Sequence, residues 1–152
     1  MRIEGIFTAP HTGGAQLAHQ QVTLVAAAGI EGDRFFGRQD EPGQNLSLVE
    51  AEVIESFLRT RQRVPDLSIT RRNLVTRGVR LNELVERLFY VGDVLLRGVE
   101  LCEPCLGLGN ALAAPELPAA AVVRHFVRRG GLRADILSSG VVAIGANVRS
   151  AA

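Results

Sequence analysis

The sequence predicts an α+β fold in which a mainly antiparallel, mixed β-barrel-like sheet carries a few peripheral helices. Most apolar stretches are short and are followed by turn residues, which is typical of many short strands. Only two segments repeat apolar residues at helical spacing. A doubly wound α/β fold is excluded, because strands and helices do not alternate regularly along the chain.

Two strands and two loops are predicted in the first third of the chain. Residues 2–7 and 21–25 are rich in β-branched and apolar side chains, which favours strands. Residues 8–20 and 29–43 hold proline and several glycines, so we expect loops there.

The first helix is predicted at a capping box of Ser47 and Glu50, in which each side chain bonds the other residue's backbone N–H. Apolar residues then recur at helical spacing as far as Phe57, and Pro65 is expected to end the helix. A second helix is predicted to begin near Pro118, because proline suits the first helical position.

The middle of the chain is predicted to form short strands and turns. Residues 69–79 are expected to form a strand and a turn, and residues 82–87 a helical turn. Residues 91–101 are expected to form a strand pair that is broken at Gly92-Asp93 and again at Gly98.

The last third adds a predicted strand pair. Residues 106–109 are too rich in glycine for a strong helix. Residues 132–136 alternate between apolar and polar side chains as a strand does, and residues 138–140 form a turn. Residues 141–144 are expected to return as the next strand.

The composition and the net charge are typical of a globular protein. Its 152 residues are the size of one domain, so a single domain over residues 1–152 is expected. Hydrophobic residues make up 47% and the net charge is +1, which argues against disorder and against nucleic-acid binding by a general electrostatic field. No apolar run approaches the ~20 residues of a membrane span, and residues 1–4 lack the apolar core of a signal peptide. We therefore expect a cytoplasmic protein with no nucleic-acid or membrane partner.

The chain contains no lysine, so all 17 of its Lys and Arg residues are arginine. This excludes a phosphate-binding loop of the Walker type, which requires lysine. It also excludes a Schiff-base lysine and hence covalent pyridoxal phosphate. Arginine offers instead a planar, permanently charged fork that suits phosphate and carboxylate groups.

Cys102 and Cys105 form a C-x-x-C pair around Glu103-Pro104. A redox dithiol of the thioredoxin type would open a helix after a strand, and Pro104 argues against that. A structural zinc site needs four ligands, and the chain has no second cysteine pair. One thiolate could bind a soft metal or act as a nucleophile. Two small, buried apolar side chains are the plain alternative.

Residues 70–78 concentrate hydrogen-bonding side chains around a short apolar strand. Arg71, Arg72, Asn73 and Thr76 lie on or beside this strand. Guanidinium and amide groups hold phosphate and carboxylate oxygens, so the segment is consistent with a pocket for an anionic ligand. A charged edge strand whose arginines prevent aggregation would have the same composition. Both interpretations stay open at this point.

Two glycine-containing motifs are each explained by backbone geometry. Residues 29–34, Gly-Ile-Glu-Gly-Asp-Arg, are typical of a tight turn and lack the G-x-G-x-x-G pattern of a dinucleotide site. Residues 129–134, Arg-Gly-Gly-Leu-Arg-Ala, are typical of a helix end followed by the start of a strand.

Taken in order, these motifs resemble those of a stand-alone MOSC domain, a family named after the C-terminal domain of molybdenum cofactor sulfurases. The motifs are G-I-E-G-D-R, R-R-N-L-V-T-R-G-V, L-C-E-P-C and R-G-G-L-R-A-x-I-L. The resemblance extends from about residue 22 to the last strand, and four motifs in this order are more specific than any one. It implies a mixed β-barrel and binding of the molybdenum cofactor (molybdopterin), a pterin whose dithiolene holds the metal and which ends in a phosphate.

The resemblance also implies roles for particular residues. Cys105, which follows proline as in relatives that bind the cofactor, would be the catalytic thiolate and would ligate molybdenum. Phe35 departs from the histidine or tyrosine that many relatives carry after G-D-R. The motifs supply further candidate contacts to the cofactor, namely Arg71, Arg72, Asn73, Thr76, Asp33, Arg34 and Arg133.

Two functions of different classes follow from the resemblance. The first is a molybdenum-dependent reductase of N-hydroxylated substrates, which would need an external electron-donor protein because the sequence has no flavin, haem or iron–sulfur motif. The second is a carrier that holds the cofactor, or a sulfur atom as a persulfide on Cys105, for an accepting enzyme. In such a carrier, Cys102 could resolve the persulfide.

Overall fold

The computed structural model describes residues 1–38, 40–60, 66–104 and 106–151. The strands in these ranges are β1 (Arg2–Thr8), β2 (Leu17–Ala18), β3 (Gln21–Val25), β4 (Gly29–Ile30), β5 (Leu46–Glu50), β6 (Leu74–Arg77), β7 (Leu88–Val91), β8 (Val94–Leu101), β9 (Leu132–Ile136), β10 (Gly140–Ala143) and β11 (Val148–Ser150). The helices are α1 (Ala51–Thr60), α2 (Leu106–Leu112), α3 (Ala119–Phe126) and a 3₁₀ helix at Leu81–Leu84. None of the helices in the described ranges has the length and apolar character needed to cross a membrane.

Eight strands form one curled sheet in the order β11-β7-β8-β9-β5-β6-β1-β2. Neighbours are antiparallel except for β5 and β6, which run parallel with Leu48 opposite Leu74. The sheet curls until β1 meets the segment before β11, where Ile3 N–H donates to Ala146 O at 2.9 Å. Strands β10, β3 and β4 form a second sheet of three strands. The predicted α+β fold on a mainly antiparallel, barrel-like sheet is confirmed.

Two apolar clusters stabilise the curled sheet, one on each of its faces. Successive strand residues point to opposite faces, so Leu48 and Leu74 enter the inner cluster, whereas Val49 and Val75 enter the outer one. The outer cluster also contains Phe57, by which α1 covers the sheet. Burying one such side chain fully stabilises the fold by roughly 1.5–3 kcal/mol.

Several predicted elements agree with the structure. The strands at 2–7 and 21–25 correspond to β1 and β3. The pair β7 and β8 turns at Gly92-Asp93, and α3 begins directly after Pro118. In the described residues of the two expected loops, the only strands are the two-residue β2 and β4. Pro65, expected to end the first helix, lies outside the described residues.

The predicted capping box at Ser47 and Glu50 is wrong. Both residues belong to β5, and α1 begins only at Ala51. The Ser47 hydroxyl donates instead to Asn73 Oδ1 at 3.2 Å, and Glu50 Oε2 accepts from Leu81 N–H at 3.3 Å. The two side chains satisfy long-range partners because pairing with β6 and β9 keeps their backbone extended.

Two predictions that were based on glycine residues are wrong, because each glycine allows a close contact between two elements. β8 runs through Gly98, where the register shifts and the missing side chain admits the Leu84 carbonyl. Residues 106–109 belong to α2 despite their glycines. A Cβ on Gly109 would lie 2.8 Å from the Ala119 carbonyl oxygen, so glycine is what allows α2 to pack against α3.

The strand predicted at 141–144 is present as β10, but it does not return beside β9. It pairs with β3 in the smaller sheet, with Val141 opposite Thr23. The preceding turn is tied to both sheets, since Ser138 Oγ accepts from Leu95 N–H and Ser139 Oγ accepts from Ala26 N–H, each at 2.8 Å. These two bonds direct the chain from one sheet to the other.

We predict that Gly131→Ala lowers the free energy of unfolding by more than about 2 kcal/mol. Gly131 has a φ of +109°, and an added Cβ would overlap the Leu48 carbonyl oxygen. Urea unfolding followed by circular dichroism measures the change. Gly13→Ala is the matched control, because its φ of +72° is also left-handed but no atom lies within 4 Å of the added Cβ. Equal losses in the two variants would contradict the close approach at Gly131.

Candidate functional site

A cavity of about 550 Å³ opens where β5 and β9 begin and β8 ends. Its volume is within the range that is usual for small-molecule sites. Its walls come from four separate parts of the chain, namely the loop before β5, the residues before β6, the end of β8 and the start of β9. Five of the predicted cofactor contacts line it, namely Arg34, Arg71, Arg72, Asn73 and Arg133, whereas Asp33 and Thr76 do not.

Arg34, Arg71 and Arg72 form what we call the cationic wall of the cavity. Arg34 Nη1 and Arg71 Nη2 are buried, and neither has a hydrogen-bond partner among the described residues. Burial lowers the pKa of Arg34; the Asp33 carboxylate opposes this effect, and the charges of Arg71 and Arg72 add to it. The wall therefore contains guanidinium nitrogen atoms without a hydrogen-bond acceptor among the described residues, and Arg34 Nη1 has only an ion pair with Asp33 Oδ1 at 3.6 Å. An anionic ligand would supply such acceptors.

Asp33 braces the turn that carries Arg34. Its carboxylate is buried, and it accepts hydrogen bonds from Ala9 N–H at 3.0 Å and from Phe35 N–H at 3.4 Å. Arg34 Nη1 lies 3.6 Å from Asp33 Oδ1, and its guanidinium lies over the Phe35 ring, 4.6 Å from the ring centroid. The ring of Phe35, which cannot hydrogen-bond, thus holds the arginine by a cation–π contact.

Arg71 has a left-handed backbone conformation that is uncommon for a residue other than glycine. Its φ is +60°, and its N–H donates to Ser68 O at 3.0 Å. The N–H and the hydroxyl of Ser68 both bond Asp66 Oδ1, at 2.9 and 2.6 Å. The resulting tight turn places Arg71 on the cationic wall at a cost of about 1 kcal/mol of backbone strain.

Asn73 and Thr76 hold strands together. Asn73 Oδ1 accepts from Ser47 N–H at 3.1 Å and from Ser47 Oγ at 3.2 Å, and its Nδ2 donates to Phe7 O at 3.1 Å. One amide group thereby joins β5 to β1. Thr76 is fully buried, and its hydroxyl donates to Val49 O at 3.4 Å.

Arg133 lies on the side of the cavity formed by β8 and β9. Its Nη1 donates to Glu100 Oε1 at 2.8 Å and its Nη2 donates to Glu41 Oε1 at 2.6 Å. Its Nε donates to Gly43 O at 3.3 Å. Arg133 differs from the cationic wall because each of its three guanidinium nitrogen atoms already has an acceptor.

Cys102 lines the cavity directly after β8, and Cys105 lies outside the described residues. Cys102 N–H donates to Gly131 O at 2.8 Å, and its side chain is buried. Burial raises the pKa of the Cys102 thiol, whereas the charges of Arg72 and Arg133 act to lower it. In the described ranges no group of three or more His, Cys, Asp or Glu side chains could hold a metal ion.

A family model described as the MOSC domain matches residues 32–149. The chain belongs to the MOSC domain family. The resemblance inferred from the four motifs is thus confirmed, and the matched range contains every residue that lines the cavity.

Solved structures extend the similarity of this MOSC domain over nearly its whole length. The YuaD protein from Bacillus subtilis is 19% identical with a TM-score of 0.81, over 97% of this chain and 93% of that chain. YiiM from Geobacillus stearothermophilus is 14% identical with a TM-score of 0.65, over 99% of this chain and 73% of that chain. YiiM from Escherichia coli is 17% identical with a TM-score of 0.66, over 100% and 70%. These similarities show the fold, and no curated protein matches the chain.

Sequence reasoning missed the carboxylates of the MOSC cavity. Glu41, Glu100 and Glu103 line it, and the first two are the partners of Arg133. Glu100 and Arg133 are opposite each other in the register of β8 and β9. Cross-strand pairing of opposite charges would have indicated this contact, but only with knowledge that the two strands are neighbours.

We predict that Asn73→Ala lowers the free energy of unfolding by about 2–3 kcal/mol, because Ser47 N–H and Phe7 O would lose a partner in a part-buried place. Denaturant unfolding measures the loss. The control is Asn82→Ala, since the side chain of Asn82 donates an exposed bond to Arg128 O, at 2.9 Å. Loss of ligand binding with unchanged stability would instead assign Asn73 to the ligand.

We predict that Arg71→Gly is more stable than Arg71→Ala by about 1 kcal/mol, because only glycine adopts the φ of +60° without strain. Both variants remove the guanidinium, so both should lose affinity for pyrophosphate in calorimetric titrations. Equal stability of the two variants would contradict the left-handed backbone at this position.

Proposed function

We propose that this MOSC domain binds the molybdenum cofactor in the cavity, with the phosphate on the cationic wall and the metal on Cys105. The family is associated with this cofactor. The observation that carries the proposal is the cationic wall, where Arg71 Nη2 has no hydrogen-bond partner among the described residues and Arg34 Nη1 has only an ion pair with Asp33 Oδ1 at 3.6 Å. A phosphate supplies the acceptors that these guanidinium groups lack within the described chain.

The other properties of the cavity support the same ligand. Its volume of about 550 Å³ suits a molecule of the size of a pterin with a phosphate. Cys105 is three residues from the cavity-lining Cys102 in the sequence. Thiolate sulfur is a ligand that soft metals prefer.

We assign to the loaded domain the reduction of N-hydroxylated substrates. When bound, the cofactor would supply the redox-active metal centre for this reduction. In the overall reaction the N–O bond breaks, two electrons and two protons are consumed, and an amine and water are released. The electrons come from a donor protein, because the sequence has no flavin, haem or iron–sulfur motif of its own. The cationic wall neutralises the phosphate, and Cys105 fixes the metal end.

We predict that molybdenum and pterin co-purify with the protein from a host that makes the cofactor. Cys105→Ser should reduce the molybdenum content at least tenfold, whereas the matched Cys102→Ser should keep more than half of it. Arg71→Ala and Arg72→Ala should each weaken retention without unfolding the protein. Elemental analysis and pterin fluorescence measure the content, and circular dichroism checks the fold. An equal loss in both cysteine variants would contradict a single thiolate ligand.

A second measurement separates the reductase from a carrier. Loaded protein is mixed with a chemical electron donor and hydroxylaminopurine, and the amine product is quantified. Turnover that disappears with Cys105→Ser supports the reductase. Full molybdenum content without turnover, combined with transfer of the cofactor to an accepting enzyme, would replace the reductase by the carrier.

A further inference from the structure

Arg133 joins three parts of the cavity. It belongs to β9, Glu100 belongs to β8, and Glu41 and Gly43 belong to the loop before β5. Its Nη2 bonds the Glu41 carboxylate at 2.6 Å and its Nε bonds Gly43 O at 3.3 Å, so two of its three nitrogen atoms hold the loop. The third nitrogen, Nη1, bonds Glu100 on the neighbouring strand at 2.8 Å.

The loop is seated closely on the two strands at Gly43. Gly43 N–H donates to Asp135 Oδ1 at 2.7 Å, which adds a second contact to β9. A Cβ on Gly43 would lie 3.0 Å from Arg133 Cβ and 3.1 Å from Val99 Cβ, and the Gly43 φ is +79°. Only glycine allows this approach without displacing Arg133 or Val99.

We propose that Arg133 is a positioning residue that clamps the loop segment 41–44 as one wall of the cavity, and that it is not a ligand of the anion. The clamp consists of Arg133, Glu41, Gly43 and Glu100. Glu41, Gly43 and Gln44 line the cavity, so release of the segment removes part of its wall. The identity of the ligand that would then leave the cavity rests on the proposed function.

The clamp is suited to opening. The side chains of Glu41 and Glu100 are 57% and 56% exposed, and exposed ion pairs are weak and are screened by salt. Arg133 itself is only 25% exposed, and its planar fork serves two carboxylates at once. Lysine, which carries its charge at one point, cannot reproduce that arrangement. The clamp therefore sets how quickly a bound ligand escapes and makes that rate depend on ionic strength.

The first test measures amide hydrogen exchange in the cofactor-free, full-length protein. In Arg133→Ala, amides of residues 40–44 should exchange about tenfold faster, while those of β8 keep their wild-type rates. Glu41→Gln should have a similar effect and Glu100→Gln should not, because Glu100 does not belong to the loop. Arg80→Ala, which removes a remote exposed pair with Glu83, is the control and should change nothing near the cavity.

Two further measurements distinguish the clamp from a purely structural role of Arg133. They are the salt dependence of amide exchange and the exchange rates of the Arg133→Lys variant. Raising sodium chloride from 0.05 to 0.5 M should speed exchange at residues 40–44 in the wild type but not in Arg133→Ala. Arg133→Lys should lie between the wild type and alanine. Unchanged exchange at 40–44 in Arg133→Ala, or equally faster exchange throughout β8, would overturn the clamp.

The second test uses protein loaded with the molybdenum cofactor and follows the release of molybdenum after dilution. Arg133→Ala should release it several-fold faster than the wild type, yet bind the same amount at saturation. A clearly lower molybdenum content at saturation in Arg133→Ala would make Arg133 a ligand and overturn the clamp. The two proposals fail separately, because the exchange experiment needs no cofactor, whereas a wild type that never carries molybdenum contradicts only the proposed function.

Discussion

The parallel pairing of β5 with β6 is the constraint on which the site depends. Parallel neighbours cannot be joined by a hairpin, so the chain must leave β5 through α1 and return to the sheet at Asn73. The return brings Arg71 and Arg72 beside the start of β5, where the cavity opens. The bonds from Asn73 to Ser47 and Phe7 fix that return on both sides, so its amide helps to position the part of the cationic wall formed by Arg71 and Arg72.

Elements with a local cause could be predicted from the sequence. The turn at Gly92-Asp93 and the start of α3 after Pro118 depend on nearby residues, and both are present. The predicted capping box is wrong because Ser47 and Glu50 bond distant partners, the Asn73 side chain and the Leu81 N–H, instead of each other's backbone. The glycines of α2 predicted a loop, because the sequence does not show that Gly109 packs against Ala119.

The same distinction applies to the site. The structure places Arg71, Arg72 and Asn73 on the wall of a cavity. The density of arginine and amide groups in the sequence left this pocket and a charged edge strand equally open. It could not separate Arg71, which has an unpartnered nitrogen atom, from Asn73, whose amide joins strands. The cavity has cationic nitrogen atoms in its wall and carboxylates with exposed side chains nearby. The net charge of +1 could not reveal this, because it sums over charged groups that the fold separates.

The long sequence separations between the walls of the cavity have a kinetic consequence. Arg34, Arg71, Cys102 and Arg133 come together only through strand pairings between distant segments, which form slowly because loop closure precedes any gain from contact. A nascent or partly collapsed chain offers scattered arginines and no concave binding site. Any ligand of the cavity would therefore be captured only after the sheet is complete. Until then the stability of the protein depends on its own contacts, including the two apolar clusters.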